Sequence, residues 1–187
     1  PPPLASLALG MSLPREVGEA ALRGEREPVI KWLQNGGHVD ALAGNGYGLL
    51  HAAATGGHLR VAEELLQRGA SVDLRRPNGL TVLMMAAGLG QHAMVRLLLE
   101  HKASIDLQNA GGATALMDAA SEGHTECVQK LLEAGASTEL RNQHVVTPLQ
   151  GAEVKGNAAI AKLLRQHAAK PSVASPKVVV TAEARAA

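Results

Sequence analysis

The feature that most restricts this chain is a period of 33 residues. Sliding the sequence on itself by that period superposes Leu50 with Leu83, Leu116 and Leu149. The same shift superposes Ala53, Ala86, Ala119 and Ala152, then Gly57, Gly90, Gly123 and Gly156. It also aligns Leu65, Leu98, Leu131 and Leu164, and last Asp73, Asp106 and Glu139. One period upstream, Ala20, Gly24, Trp32 and Asp40 occupy the matching slots. A repeat of this length is one supersecondary unit copied along the chain, each copy stacking on its neighbours to bury a continuous core.

Local chemistry within each period reads as helix, turn, helix and β-turn finger. In Thr147-Pro148-Leu149 the Thr caps a helix N-terminus and the Pro takes the first helical position, where no N–H is needed. Thr81 and Thr114 hold the same capping slot, and Gly48 holds it in the first full copy. Gly57, Gly90, Gly123 and Gly156 end this short helix. A second helix follows, with apolar residues at helical spacing, as in Val61, Leu65 and Leu66 or Val128, Leu131 and Leu132. Gly69-Ala70 and Gly135-Ala136 stop it, and a Gly-rich turn such as Pro77-Asn78-Gly79 or Ala110-Gly111-Gly112 closes the unit.

This unit resembles the ankyrin repeat, with its Gly-x-Thr-Pro-Leu-His, Ala-Ala, Gly-His and Leu-Leu-x-x-Gly-Ala segments. The best copy reads Gly48-Leu49-Leu50-His51-Ala52-Ala53, Gly57-His58 and Leu65-Leu66-Gln67-Arg68-Gly69-Ala70. Thr81-Val82-Leu83-Met84 and Thr114-Ala115-Leu116-Met117 open the next two. The resemblance covers roughly residues 16 to 169 and implies a mainly α fold, an ankyrin-repeat solenoid of helix-turn-helix units with β-turn fingers. We expect an N-terminal cap at 12–44, repeats at about 45–77, 78–110 and 111–143, and a C-terminal cap at 144–169. Glu153 and Arg165 stand in apolar slots of the last copy, as a surface without a further repeat requires. Residues 1–11 and 170–187 are expected to be flexible.

Two departures predict weak points. Lys102 replaces the helix-ending glycine found at Gly69 and Gly135. Val145 stands where Gly46, Gly79 and Gly112 make the finger turn, so a β-branched residue meets a position that favours glycine and the last finger is expected to be remodelled.

Composition removes several classes of function. Trp32 and Tyr47 are the only aromatic residues, which argues against base-stacking nucleic-acid platforms and aromatic-girdled barrels. Eighteen basic and 17 acidic residues leave a net charge of +1, so no bulk field draws the chain to nucleic acid or anionic membrane. No apolar run approaches the roughly 18 residues of a spanning helix, so membrane insertion is not expected. Leu4 to Met11 is too short, and lacks the basic flank, for a signal peptide. The lone Cys127 fits a reducing compartment, which makes the cytoplasm the expected location and the nucleus the alternative.

Candidate chemistry resolves mostly into structure. None of the eight histidines has zinc-ligand spacing with another His or Cys. The resemblance implies that His51 bonds neighbouring backbone. Gly44-Asn45-Gly46-Tyr47-Gly48 lacks the strand, spacing and acidic partner of a dinucleotide loop. Asp40, Asp73, Asp106 and Glu139 form an acidic column better suited to bonding finger backbone than to holding a cation. Cys127 adjoins core Val128 and lacks an activating partner. Met84, Met85 and Met117 read as core or inner-helix filler. No catalytic residue, metal or cofactor is expected.

The remaining reading is recognition of another protein by a monomer. The resemblance places contacts on finger and first-helix slots: Asn45, Tyr47, Arg75, Arg76, Asn78, Leu80, Asn109, Ala113, Glu122, Arg141, Gln143, His144 and Val146. Arg75, Arg76 and Arg141 give the finger tips a basic edge, which points to a partner with an acidic segment. The alternative is a regulatory or targeting segment of a larger enzyme, channel or receptor.

Overall fold

The computed structural model describes residues 12–168, so both expected flexible ends lie outside the described residues. Among them are ten helices in five pairs: α1 (Arg15–Arg23) with α2 (Arg26–Gln34), α3 (Leu49–Gly56) with α4 (Leu59–Gln67), α5 (Val82–Gly88) with α6 (His92–Glu100), α7 (Ala115–Glu122) with α8 (Thr125–Glu133), and α9 (Pro148–Val154) with α10 (Ala158–Ala168). The odd-numbered helices stack in one row and the even-numbered helices from α4 onward in another. Between successive pairs run the fingers, closed by isolated β-bridges such as Arg75 to Thr81. The mainly α solenoid expected from the period is present.

The inner row is built from small side chains. Ala53, Ala86, Ala119 and Ala152 are wholly buried, which lets neighbouring inner helices approach closely. The outer helices are amphipathic, and Leu65, Leu98, Leu131 and Leu164 at one slot are each no more than 1% exposed. One contiguous core therefore runs the length of the stack.

Capping follows the sequence closely. The Oγ1 atoms of Thr81, Thr114 and Thr147 accept from the N–H groups of Met84, Met117 and Gln150, each at 3.3 Å. Gly48 has no side chain to offer, and there His51 Nδ1 accepts the Gly48 N–H at 3.3 Å. Burial pushes His51 down to about 4, helped by the charge of Arg76 and opposed by the Leu80 and Leu74 backbone.

Side chains at two slots stitch each repeat to the one before. His58 Nε2 lies 2.9 Å from the Leu22 carbonyl, and His124 Nε2 2.9 Å from that of Gly88. Gln91 and Asn157, one period on from each, donate to the carbonyls of Thr55 and of Ala120 and Ser121. The acidic column does the same work in the other direction. Asp40, Asp73 and Asp106 accept the N–H groups of Ser71, Ser104 and Ser137, each at 2.9 Å and each in the following repeat. Glu139 instead accepts from Thr138 beside it.

The last finger corrects one expectation. Val145 does not remodel the turn: its N–H donates to the Asn142 carbonyl at 2.9 Å, as Gly112 donates to Asn109 at 2.9 Å. Asn142 Oδ1 also accepts from His144 and Val146 N–H groups, at 2.9 and 3.0 Å, which clamps the loop. The backbone keeps its shape and Val145 accepts φ 62°. Lys102 likewise takes φ 66° at the helix end. Left-handed conformations cost a residue bearing a Cβ about 1–2 kcal/mol. Lys102→Gly is therefore expected to stabilise the array by about 1 kcal/mol, and Val145→Gly by slightly more, because β-branching crowds that conformation further. Urea unfolding checks both; an unchanged or lowered midpoint in either variant contradicts the strain.

At the far end, the two polar substitutions of the last copy meet each other. Arg165 and Glu153 form an exposed ion pair on the terminal face.

Candidate functional site

Fingers and inner helices border an open groove of about 430 Å³. Its finger side is made by Tyr47 and Leu80, and its floor by Met84 and Met85 of α5. Gly88 and Leu89 close one wall, Asp118 and Glu122 of α7 the other. A second hollow of about 480 Å³ lies against α1, lined among others by Leu13, Gly18, Leu22 and Ala52. Tyr47 and Thr55 border both hollows, so the two lie side by side along the inner row.

Two of the exposed large apolar residues border these hollows, while Val145 and Val154, more exposed at 60% and 84%, lie outside them. Leu89 is 52% exposed and Leu22 43% exposed. Met84, Met85 and Met117 are core, as expected, yet Met85 at 8% exposure also lends its edge to the groove floor.

Asp118 is the unusual group. Its carboxyl makes no side-chain hydrogen bond or ion pair among the described residues, and burial followed by the charge of Glu122 pushes it up to about 6. The sequence reading missed it. One signal was there: the slots one and two periods upstream hold Met85 and Ala52, and the slot downstream holds Gly151, so an acid among small or apolar residues was visible in the alignment.

Tyr47 is held from two sides. The Arg76 guanidinium lies 4.2 Å from its ring centroid, a cation–π contact, and His51 meets its ring edge-on at 5.9 Å. Arg76 Nη2 also sits 3.5 Å from the Asn45 carbonyl. Arg76 is thus tied to the preceding finger, whereas Arg75 and Arg141 are exposed. His144 is exposed as well.

Several other expected contact residues spend their side chains on the fingers. Asn45, Asn78 and Asn109 accept the N–H groups of Tyr47, Leu80 and, for Asn109, both Gly111 and Ala113. These are the local side-chain-to-backbone bonds that shape tight turns. Gln143 donates to the Ala110 carbonyl of the preceding finger. Ala113 and Val146 are half-buried at the finger bases. Of the residues picked from sequence, the structure brings Tyr47, Leu80 and Glu122 together around the groove and leaves Arg75, Arg141 and His144 along the edge.

Cys127 is 1% exposed, and burial with the nearby charge of Glu126 pushes its thiol up to about 11, far from a thiolate at neutral pH. Among the described residues no group of three or more His, Cys, Asp or Glu is placed to hold a metal ion, and no helix is long and apolar enough to cross a membrane.

Comparison with known families agrees with this architecture. The family described as ankyrin repeats (3 copies) matches residues 18–109 and 101–175. The chain belongs to the ankyrin-repeat family, whose repeats are protein–protein interaction modules and generally non-catalytic. No curated protein matches the chain.

Proposed function

We propose that this chain is a non-catalytic recognition module that binds a partner protein across its finger edge and inner-helix face. The exposed Leu89 beside the groove supports this most directly, since a half-exposed leucine next to an apolar hollow gains by being covered. Tyr47, already fixed by Arg76 and His51, offers a rigid anchor that loses little freedom on binding. Arg75 and Arg141 form the basic edge and meet carboxylates of the partner; Arg76 contributes by fixing Tyr47.

Site-specific photo-crosslinkers test the location. Placed at Leu89 or Arg75 they are expected to capture the partner, and at Arg96 or Gln129 on the outer helices they are not. Crosslinks confined to the outer positions overturn the reading. Exposed charges act mainly on association rate. Arg75→Ala with Arg141→Ala is therefore expected to slow association several-fold at low salt, with little change in dissociation or in melting temperature. Stopped-flow binding measures this, and a wild-type association rate removes the basic edge from the site.

A further inference from the structure

We infer that the groove between α5 and α7 takes a lysine or arginine of the partner, flanked by an apolar residue, with the cation seated on Asp118 and Glu122. This rests on the proposed recognition face and says what kind of segment lies in its deepest part.

Among the described residues neither Asp118 nor Glu122 has a cationic or hydrogen-bonding partner for its side chain; Glu16, Glu27 and Glu63 also lack one but are exposed and line neither hollow, and most other acids are paired. Glu64, for example, is shared between Arg26 and Arg68. Opposite Asp118 the groove presents Met85, Gly88 and Leu89, none of which carries charge or a polar side chain. Gly151 follows in the same slot of α9 and adds none. Lys155 occupies the slot of Glu122 one repeat on, exposed and without an ion pair to it.

Asp118 is half-buried and unpaired, so its carboxylate is less well solvated than an exposed one and gains more from an incoming cation. Glu122, one helical turn along and exposed, shares the charge and draws the cation in. The aliphatic stem of a lysine or arginine also suits the methionine floor, because such stems cover apolar surface while the charged head stays at the polar end. Leu89 and Leu80 then supply the seat for the neighbouring apolar side chain. A volume of about 430 Å³ accommodates a side chain of that size with part of its neighbour. An acidic side chain in the same place meets two carboxylates and no cation, so the floor selects against the chemistry that the Arg75 and Arg141 edge favours.

The test pans a phage-displayed library of random dodecapeptides on the immobilised full chain and on Asp118→Asn, Asp118→Lys and Arg75→Ala/Arg141→Ala variants. The wild-type chain is expected to enrich peptides with Lys or Arg beside Leu, Ile, Met or an aromatic residue. Affinity of a selected synthetic peptide is expected to fall about tenfold for Asp118→Asn, less than the roughly thirtyfold or more of a fully buried pair because Asp118 is half-buried and Glu122 keeps part of the charge. It should change less than about twofold for the paired Arg variant, whose residues lie outside the groove. Asp118→Lys is expected to move enrichment from basic to acidic peptides, an inversion that loss of folding cannot produce; circular dichroism of each variant checks the fold directly.

Two outcomes overturn the inference: no enrichment of basic peptides by the wild-type chain, or basic peptides indifferent to Asp118→Asn. Either result removes the cation seat and leaves the recognition face standing. Failure of that face is read separately, from crosslinks confined to the outer helices.

Discussion

Asp118→Asn will stabilise the array at pH 7.5 and give it an acid sensitivity that the natural chain hides. Burial holds Asp118 at about 6 instead of 3.8, so its charge opposes folding above pH 6 and stops doing so as the folded carboxyl takes up its proton. Its contribution to stability therefore improves as pH falls from about 6 to 3.8. His51 works the other way. It is buried and neutral with a value near 4, whereas the unfolded chain protonates at 6.5, so stability is lost as pH falls through that window. Each displacement is worth about 3 kcal/mol by linkage, and over pH 4–6.5 the two largely cancel. An amide cannot ionise, so Asp118→Asn is expected to gain about 2 kcal/mol at pH 7.5, with burial of the amide offsetting part of the full amount. It should then lose about 3 kcal/mol between pH 7 and pH 4 through His51 alone. Urea unfolding across that range measures both. The same gain at pH 4 as at pH 7.5 would exclude Asp118 as the source, and a variant with a flat pH profile would exclude His51.

Leu98→Ala will cost about 3–4 kcal/mol and split one unfolding transition into two. Leu98 is wholly buried in α6, and that helix packs on α5 within its repeat and on α4 and α8 to either side. Removing its branched end leaves a cavity that small inner-helix residues have no bulk to fill. In a stacked array, stability is the sum of repeat terms and interfaces between neighbours, so a weak centre uncouples the two halves. Leu164→Ala, the same change in α10 at the terminus, removes contacts to one side only. It is expected to fray the last repeat without dividing the rest. Arg96→Ala, exposed on the same helix as Leu98, should stay within about 0.5 kcal/mol of the natural chain. Differential scanning calorimetry separates the three; a single sharp transition for Leu98→Ala would mean that the repeats are coupled more strongly than this account allows.

Features governed within a single repeat were legible in the sequence. The Thr caps, the helix ends and the finger turns obey rules that reach only a few residues, so Thr81, Thr114 and Thr147 announce their bonds without knowledge of the fold. Lys102 was legible for the same reason: its slot is left-handed in its neighbours, and it takes φ 66°. Val145 shows where that reasoning stops. Its slot was read correctly, but whether the turn or the residue would yield was decided by the Asn142 clamp and by the contact of Gln143 N–H with the Gly111 carbonyl of the preceding finger.

What only the tertiary structure decided is where side chains go between repeats. From the sequence, Arg76 is a third basic tip; in the fold it spans to the previous finger and lies on Tyr47. Asn45, Asn78 and Asn109 sit in variable slots, yet their oxygens are turned inward onto finger N–H groups. Asp118 is an ordinary helix residue until α5 is laid against α7 and leaves it among Met85, Gly88 and Leu89. A period states which residues are equivalent. How far they are buried and what they touch depend on the lateral packing of helices more than 30 residues apart in the chain, and only the assembled stack supplies that.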